Sequence, residues 1–118
     1  MKTIGVMHML LVQDMDRAII FYENTFGCKV LQKSAFWTNM DCNSGKIALC
    51  SYGSKTELKE TTLIIEVDNH KQAVERIKAN NGKVLKIGEP YEGAPVYNVV
   101  FVDTENNQLV ASETVNTH

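Results

Sequence analysis

Apolar positions recur along this chain in two rhythms, and the same succession of rhythms occurs twice. The run VQDMDRAIIFYENTFGCKV, residues 12–30, reads as the end of a strand, a helix of about three turns and the start of a second strand. Met15, Ala18, Ile19, Tyr22 and Phe26 fall on one helical stripe. Asp14 is placed to take the orphan amides of the first turn, and Asp16 sits where the helix dipole favours a negative charge. Gly27 falls where a left-handed residue would stop the helix. The run VDNHKQAVERIKANNGKV, residues 67–84, repeats this skeleton. Val12, Ala18 and Gly27 map onto Val67, Ala73 and Gly82 at one constant offset, which indicates a duplicated unit.

The remaining segments complete each copy. In the first half, residues 4–13 are mostly apolar, with His8 the polar exception inside the run, and predict a well-buried strand. Residues 28–33, 35–42 and 46–52 predict three more strands, with Asn43-Ser44-Gly45 as a turn. In the second half, strands are expected over 62–67, 83–87, 96–102 and 108–113. Asn69 caps a helix whose Ala73, Val74 and Ile77 face inward. Two prolines and a glycine make 90–95 a loop, and 114–118 reads as a frayed tail. The expected class is therefore α+β, with two tandem β-α-β-β-β modules. Module one covers about 1–53, a polar linker 54–60, and module two about 61–115. Neither module closes a core alone.

Composition narrows the function classes. At 118 residues the chain holds one domain with a real core. A net charge of −2 gives no basic footprint for nucleic acid and no polybasic run for a membrane surface. The first residues carry no basic-then-apolar signal pattern. Cys28, Cys42 and Cys50 are odd in number and lack C-x-x-C spacing, so free thiols in a reducing cytoplasm are expected. Nucleophile elbows, P-loops, zinc-protease helices and dinucleotide fingerprints are all missing.

The motifs taken in order resemble a known family. Val12-Gln13-Asp14 with Ala18, Phe21-Tyr22 and Gly27 resembles the first-module signature of the vicinal oxygen chelate superfamily. That group contains glyoxalase I, bleomycin-resistance proteins and extradiol dioxygenases. Glu66-Val67-Asp68 with Ala73, Ile77 and Gly82 looks like its second-module opening. The run from Phe101 to Leu109 resembles its F-x-D-P-D-G-N hairpin, with Thr104 and Asn106 in place of the usual proline and glycine. The resemblance implies cupped mixed sheets enclosing a ligand cavity, and chains of this length pairing as homodimers. It does not fix the activity.

Metal-dependent members of this family use one side chain from the first and one from the last strand of each module. By resemblance those positions fall here on His8, Leu49, Thr62 and Val110. One imidazole and one hydroxyl do not hold a divalent ion, so no metal and no other cofactor is expected. The alternative is a divalent metal held by an unforeseen site. His8 is the one candidate for a catalytic or hydrogen-bonding role near neutral pH. Period-2 alternation adds Leu10, Ser51, Ile64 and Ser112 as cavity-lining positions. Trp37 and Tyr97 lie in or beside sheet-edge segments placed to close over a ligand, with core or dimer packing as the alternative for each and the parity of Trp37 left open. The expected function is binding of an apolar or aromatic small molecule, for sequestration or carriage. The alternative is a glyoxalase-like lyase or isomerase, using a metal or His8.

Overall fold

The structure is a computed structural model and describes residues 1–53 and 55–115. The first half forms β1 (His8–Leu11), α1 (Met15–Phe26), β2 (Lys29–Lys33), β3 (Trp37–Asp41) and β4 (Lys46–Cys50). The second forms β5 (Lys59–Glu66), α2 (His70–Ala79), β6 (Lys83–Gly88), β7 (Val96–Val102) and β8 (Asn107–Thr114). The two sheets run β1-β4-β3-β2 and β5-β8-β7-β6. In each, the first strand pairs with the last in parallel and the other pairs are antiparallel. These are the two tandem modules that the repeat implies.

The strand boundaries differ most in three places. β1 begins only at His8, and residues 1–7 are exposed. β5 begins inside the expected linker, because the Lys59 amide donates to the Asn106 carbonyl at 2.7 Å and Lys59 pairs with Asn107. Thr114 pairs with Val96, and the Val115 amide reaches the Pro95 carbonyl at 2.8 Å, so this part of the expected tail is structured. The rest of that tail, 116–118, lies outside the described residues.

Both helices begin as expected. Asp14 accepts from the Arg17 amide at 3.0 Å, and Asn69 from the Gln72 amide at 3.0 Å. Each cap contributes about 1 kcal/mol. The two ends differ. Gly27 is left-handed at φ 70°, and its amide returns to the Glu23 carbonyl. In α2 the left-handed residue is Asn81 at φ 69°, not Gly82. Gly82 is needed for space instead. A β-carbon there would lie 2.7 Å from Ile77 Cγ2 and 2.9 Å from Phe21 Cε2.

One face of each sheet packs into a single core shared with both helices. Leu10, Ile47 and Leu49 come from the first sheet, Val99, Phe101 and Leu109 from the second, with Phe21 and Tyr22 from α1 and Ile77 from α2. The Phe101 ring lies 6.2 Å from that of Phe21 and 5.5 Å from that of Phe26. The sheet of module two therefore buries apolar surface against the helix of module one, and the halves stabilise each other.

The β7–β8 hairpin locks them together. Asp103 accepts from the amides of Glu105 and Asn107 at 2.8 and 2.9 Å, which closes the turn, and the Tyr22 hydroxyl donates to its other oxygen. Burial pushes the Asp103 carboxyl up and the Tyr22 phenol well up. Asn107 donates to the Leu11 carbonyl at 2.8 Å. Asn106 takes φ 60° where the family usually has glycine, a conformation that asparagine tolerates.

Cys28 and Cys42 form a disulfide with Cα atoms 4.4 Å apart, and Cys50 is free. This corrects the expectation of three free thiols. Lys29 pairs with Asp41, so Cys28 and Cys42 are the next cross-strand pair, within the span a disulfide bridges.

Candidate functional site

The covered face of each sheet is largely core, and the opposite face is open to a ligand. In module two that open face carries Thr62, Ile64 and Glu66 from β5 and Val110 and Ser112 from β8. Ile64 pairs with Val110 and Glu66 with Ser112. Val100 and Asn98 of β7 continue it across the sheet. Thr62, Ile64 and Glu66 are all exposed. Four of the expected lining residues, Thr62, Ile64, Val110 and Ser112, are thus brought onto one surface.

Module one departs from expectation by one residue. His8 pairs with Ile47 and Leu10 with Leu49, and Leu10, Ile47 and Leu49 are buried in the shared core. His8, Leu10 and Leu49 therefore face the helices and do not share a surface with Thr62. Ser51 follows β4 with the same parity, and its hydroxyl donates to the Ala35 carbonyl at 2.9 Å, holding the β2–β3 connection. The open face of this sheet instead carries Met9 and Leu11 of β1, Ala48 and Cys50 of β4, and Trp37 and Asn39 of β3. The repeat itself could have shown this. The offset that carries Val67 to Val12 carries Thr62 to Met7, not to His8. Likewise the Ile64–Val110 pair corresponds to Met9–Ala48.

Trp37 lies on the open face, about 39% exposed, and its indole N–H donates to Asn39 at 2.6 Å on the same face. Tyr97 does not. It pairs with Glu113 on the covered side and stacks on the His70 ring at 3.9 Å. The His70 Nδ1 lies 2.8 Å from Glu113, which also accepts the His70 amide at 2.7 Å. Those two hydrogen bonds hold the Glu113 carboxyl below its ordinary value. This cluster ties the start of α2 to β8 and leaves Tyr97 out of the ligand surface.

The four positions that a family metal would use are therefore Met7, Ala48, Thr62 and Val110. A thioether, a neutral hydroxyl and two aliphatic side chains do not fit a hard divalent ion. Among the described residues, no group of three or more histidine, cysteine or acidic side chains is arranged to hold a metal. On β5 the exposed carboxylates of that parity are Glu60, two residues before Thr62 and about 7 Å along the strand, and Glu66. The place of Glu66 four residues along β5 puts it about 13 Å further on.

Two β-α-β-β-β modules with shared helix-side packing define a class of protein, and comparison with known sequences gives the family. The model of the Glyoxalase/Bleomycin resistance protein/Dioxygenase superfamily matches residues 5–110. The chain belongs to this superfamily. It is 31% identical to a lactoylglutathione lyase of Salmonella typhimurium over 113 residues, covering 80% of each chain. Among solved structures, a fosfomycin resistance protein FosX of Listeria monocytogenes, complexed with Mn(II) and sulfate, superposes with a TM-score of 0.79. Its sequence identity is 16%, over 98% of this chain and 92% of that one. A lactoylglutathione lyase of Agrobacterium tumefaciens gives a TM-score of 0.74 at 17% identity, over 95% and 94% of the two chains. The structural likenesses show the fold. Among the described residues, no helix is long and apolar enough to cross a membrane.

Proposed function

We propose that this protein binds an apolar or aromatic small molecule on the open faces of its sheets and holds no resident divalent metal there. The observation that carries the reading is the donor set at Met7, Ala48, Thr62 and Val110. Around it the surface is apolar, with Met9, Ile64 and Trp37 exposed and polar groups at Asn39, Thr62, Glu66 and Ser112. That mixture suits orientation of an apolar ligand by a few hydrogen bonds. A homodimer is proposed as well. Both open faces of a single chain meet solvent, and a second copy would bury Met7, Met9 and Ile64 and enclose the ligand. The cytoplasm is the proposed compartment; the Cys28–Cys42 pairing weighs against it, and thiol trapping in intact cells decides.

The lyase reading stays second, favoured by the identity with lactoylglutathione lyase. Elemental analysis after loading with nickel, zinc and manganese and removing the excess separates the two. Metal well below one equivalent per chain is expected, with no change in stability on chelation. One retained equivalent together with turnover of lactoylglutathione would overturn the metal-free reading. Thermal-shift screening against aromatic antibiotics, thiol conjugates and α-keto compounds is the route to the ligand.

A further inference from the structure

The duplicated fold contains its own control, because each seam between the modules can be compared with its counterpart. At the start of α1, the Glu105 carboxylate reaches over from the β7–β8 hairpin. It accepts from the amides of Gln13 and Asp14 at 2.9 and 2.8 Å and pairs with Arg17 at 2.7 Å. The repeat offset carries Gln13, Asp14 and Arg17 onto Asp68, Asn69 and Gln72 at the start of α2. The hairpin that faces them is β3–β4. Its turn, Cys42-Asn43-Ser44-Gly45, is one residue shorter between the last paired residues, Asp41–Lys46 against Val102–Gln108. It also lacks a carboxylate. Among the described residues, no group accepts from the amides of Asp68 or Asn69, although Asn69 caps Gln72 as Asp14 caps Arg17.

Where the plug is missing there is a cavity of about 460 Å³. Its floor is apolar, built from Phe26, Ile65 and Ala73. Thr25 also lines it; this residue is 2% exposed, and among the described residues its hydroxyl has no hydrogen-bond partner. Buried hydroxyls are rarely left so, because the desolvation is then uncompensated. The rim carries Glu66, Asp68 and Arg76. Among the described residues, the Arg76 guanidinium has no ion-pair partner.

We propose that this cavity is a binding site for a small zwitterion of the α-amino acid class with an apolar side chain. Its carboxylate takes the place that Glu105 fills in the other seam, accepting from the free amides of Asp68 and Asn69 with Gln72 and Arg76 beside it. Its ammonium faces Glu66 and Asp68, and its side chain covers the apolar floor. An anion alone is disfavoured, because the two rim carboxylates outnumber the one guanidinium and Glu113 already takes the next amide, that of His70. The site lies on the helix side of the sheets and meets their open faces at one residue, Glu66 at the end of β5.

The test is an amide-resolved NMR titration with three matched probes: L-leucine, its deaminated analogue 4-methylpentanoate and its decarboxylated analogue 3-methylbutylamine. Saturable shifts at Asp68, Asn69 and Thr25 are expected with leucine, and at least about tenfold weaker binding with either single-charge analogue. Arg76→Ala, an exposed change that leaves the spectrum folded, should weaken leucine about tenfold. Asn43→Glu, which supplies a carboxylate from the turn, should compete with it. Absence of saturable shifts with leucine at about 10 mM would overturn the proposal. So would equal binding of either analogue, or binding indifferent to Arg76.

Discussion

Loss of the Glu105 side chain should weaken the seam between the two modules. Its carboxylate is fully buried, yet it accepts from the Gln13 and Asp14 amides, from Arg17 and from the Thr104 hydroxyl. Each charge-assisted bond to a backbone amide contributes about 1.5–3 kcal/mol. The Arg17 side chain is 47% exposed, so that pair is screened and contributes less than about 1 kcal/mol. Glu105→Ala leaves two amides at the seam without an acceptor, and water can reach them in part. A loss of about 2–4 kcal/mol follows. With a urea slope of about 2 kcal/mol per molar, the unfolding midpoint should fall by roughly 1–2 M. A double-mutant cycle with Arg17→Ala should give a coupling under about 1 kcal/mol, because the amides and not the guanidinium dominate. A loss below about 1 kcal/mol in Glu105→Ala would refute the reasoning.

The pH dependence gives the same prediction an independent reading. Burial pushes the Glu105 carboxyl up, but the Arg17 hydrogen bond, then the Asp14 amide and the Thr104 hydroxyl, outweigh it and leave it below the ordinary 4.5. A depressed folded-state pKa contributes stability that is fully present above the unfolded value and is lost as pH falls through the folded one. The stability gap between the parent and Glu105→Gln should therefore be constant near neutral pH and shrink below about pH 4.5. The comparison removes the opposing contribution of Asp103, whose carboxyl is raised by burial in both proteins. A gap that widens in acid would contradict the assignment.

The two helix stops should fail for different reasons. Gly27→Ala strains a left-handed residue with open space around it and should cost about 1 kcal/mol. Gly82→Ala drives a methyl group into Ile77 and Phe21 and should cost about 1–3 kcal/mol. Thermal melts showing Gly27→Ala as the worse variant would reverse that assignment. For the cysteines, alkylation of denatured, unreduced protein followed by mass measurement should label Cys50 alone, and prior reduction should expose all three. The disulfide closes a loop of sequence separation 14 and should contribute about 3 kcal/mol in the chain-entropy model. Three labelled thiols without reductant would show the pair to be open.

The duplication was legible because it rests on features that survive without contacts. Val12 and Val67, Ala18 and Ala73, Asp14 and Asn69 keep their spacing in the bare sequence, and the matching β-α-β-β-β order follows from them. The face of β1 was not legible from alternation. Met7, Met9 and Leu11 are as apolar as Leu10 and Val12, so the strand shows no polar side, and His8 looked like a cavity group when it is a half-buried residue of the covered face. Tyr97 misled in the same way, since β7 is β-branched on both faces and only Val99 and Phe101, buried beneath α1 and α2, set its parity. The Cys28–Cys42 pairing needs the β2–β3 register, which no local pattern reports.

The roles inside the closing hairpin were hidden for a further reason. Asp103, Glu105 and Asn107 stand out in the sequence as a family motif, but their partners, Tyr22, Arg17 and Leu11, lie in the other module. A motif of this kind reads as a turn until the second half is laid against the first. It then proves to be the contact that fixes one module's helix on the other module's sheet. The counterpart turn at Asn43 and Ser44 has no such acid, so one seam is closed from within the chain and the other is left, among the described residues, with free amides, an unpartnered hydroxyl and room. Two copies of one unit have thus diverged in what fills the start of their helices. That divergence requires no change in core packing, because the hairpin tips lie outside the stripe of Leu10, Leu49, Phe101 and Leu109 that holds the sheets to the helices.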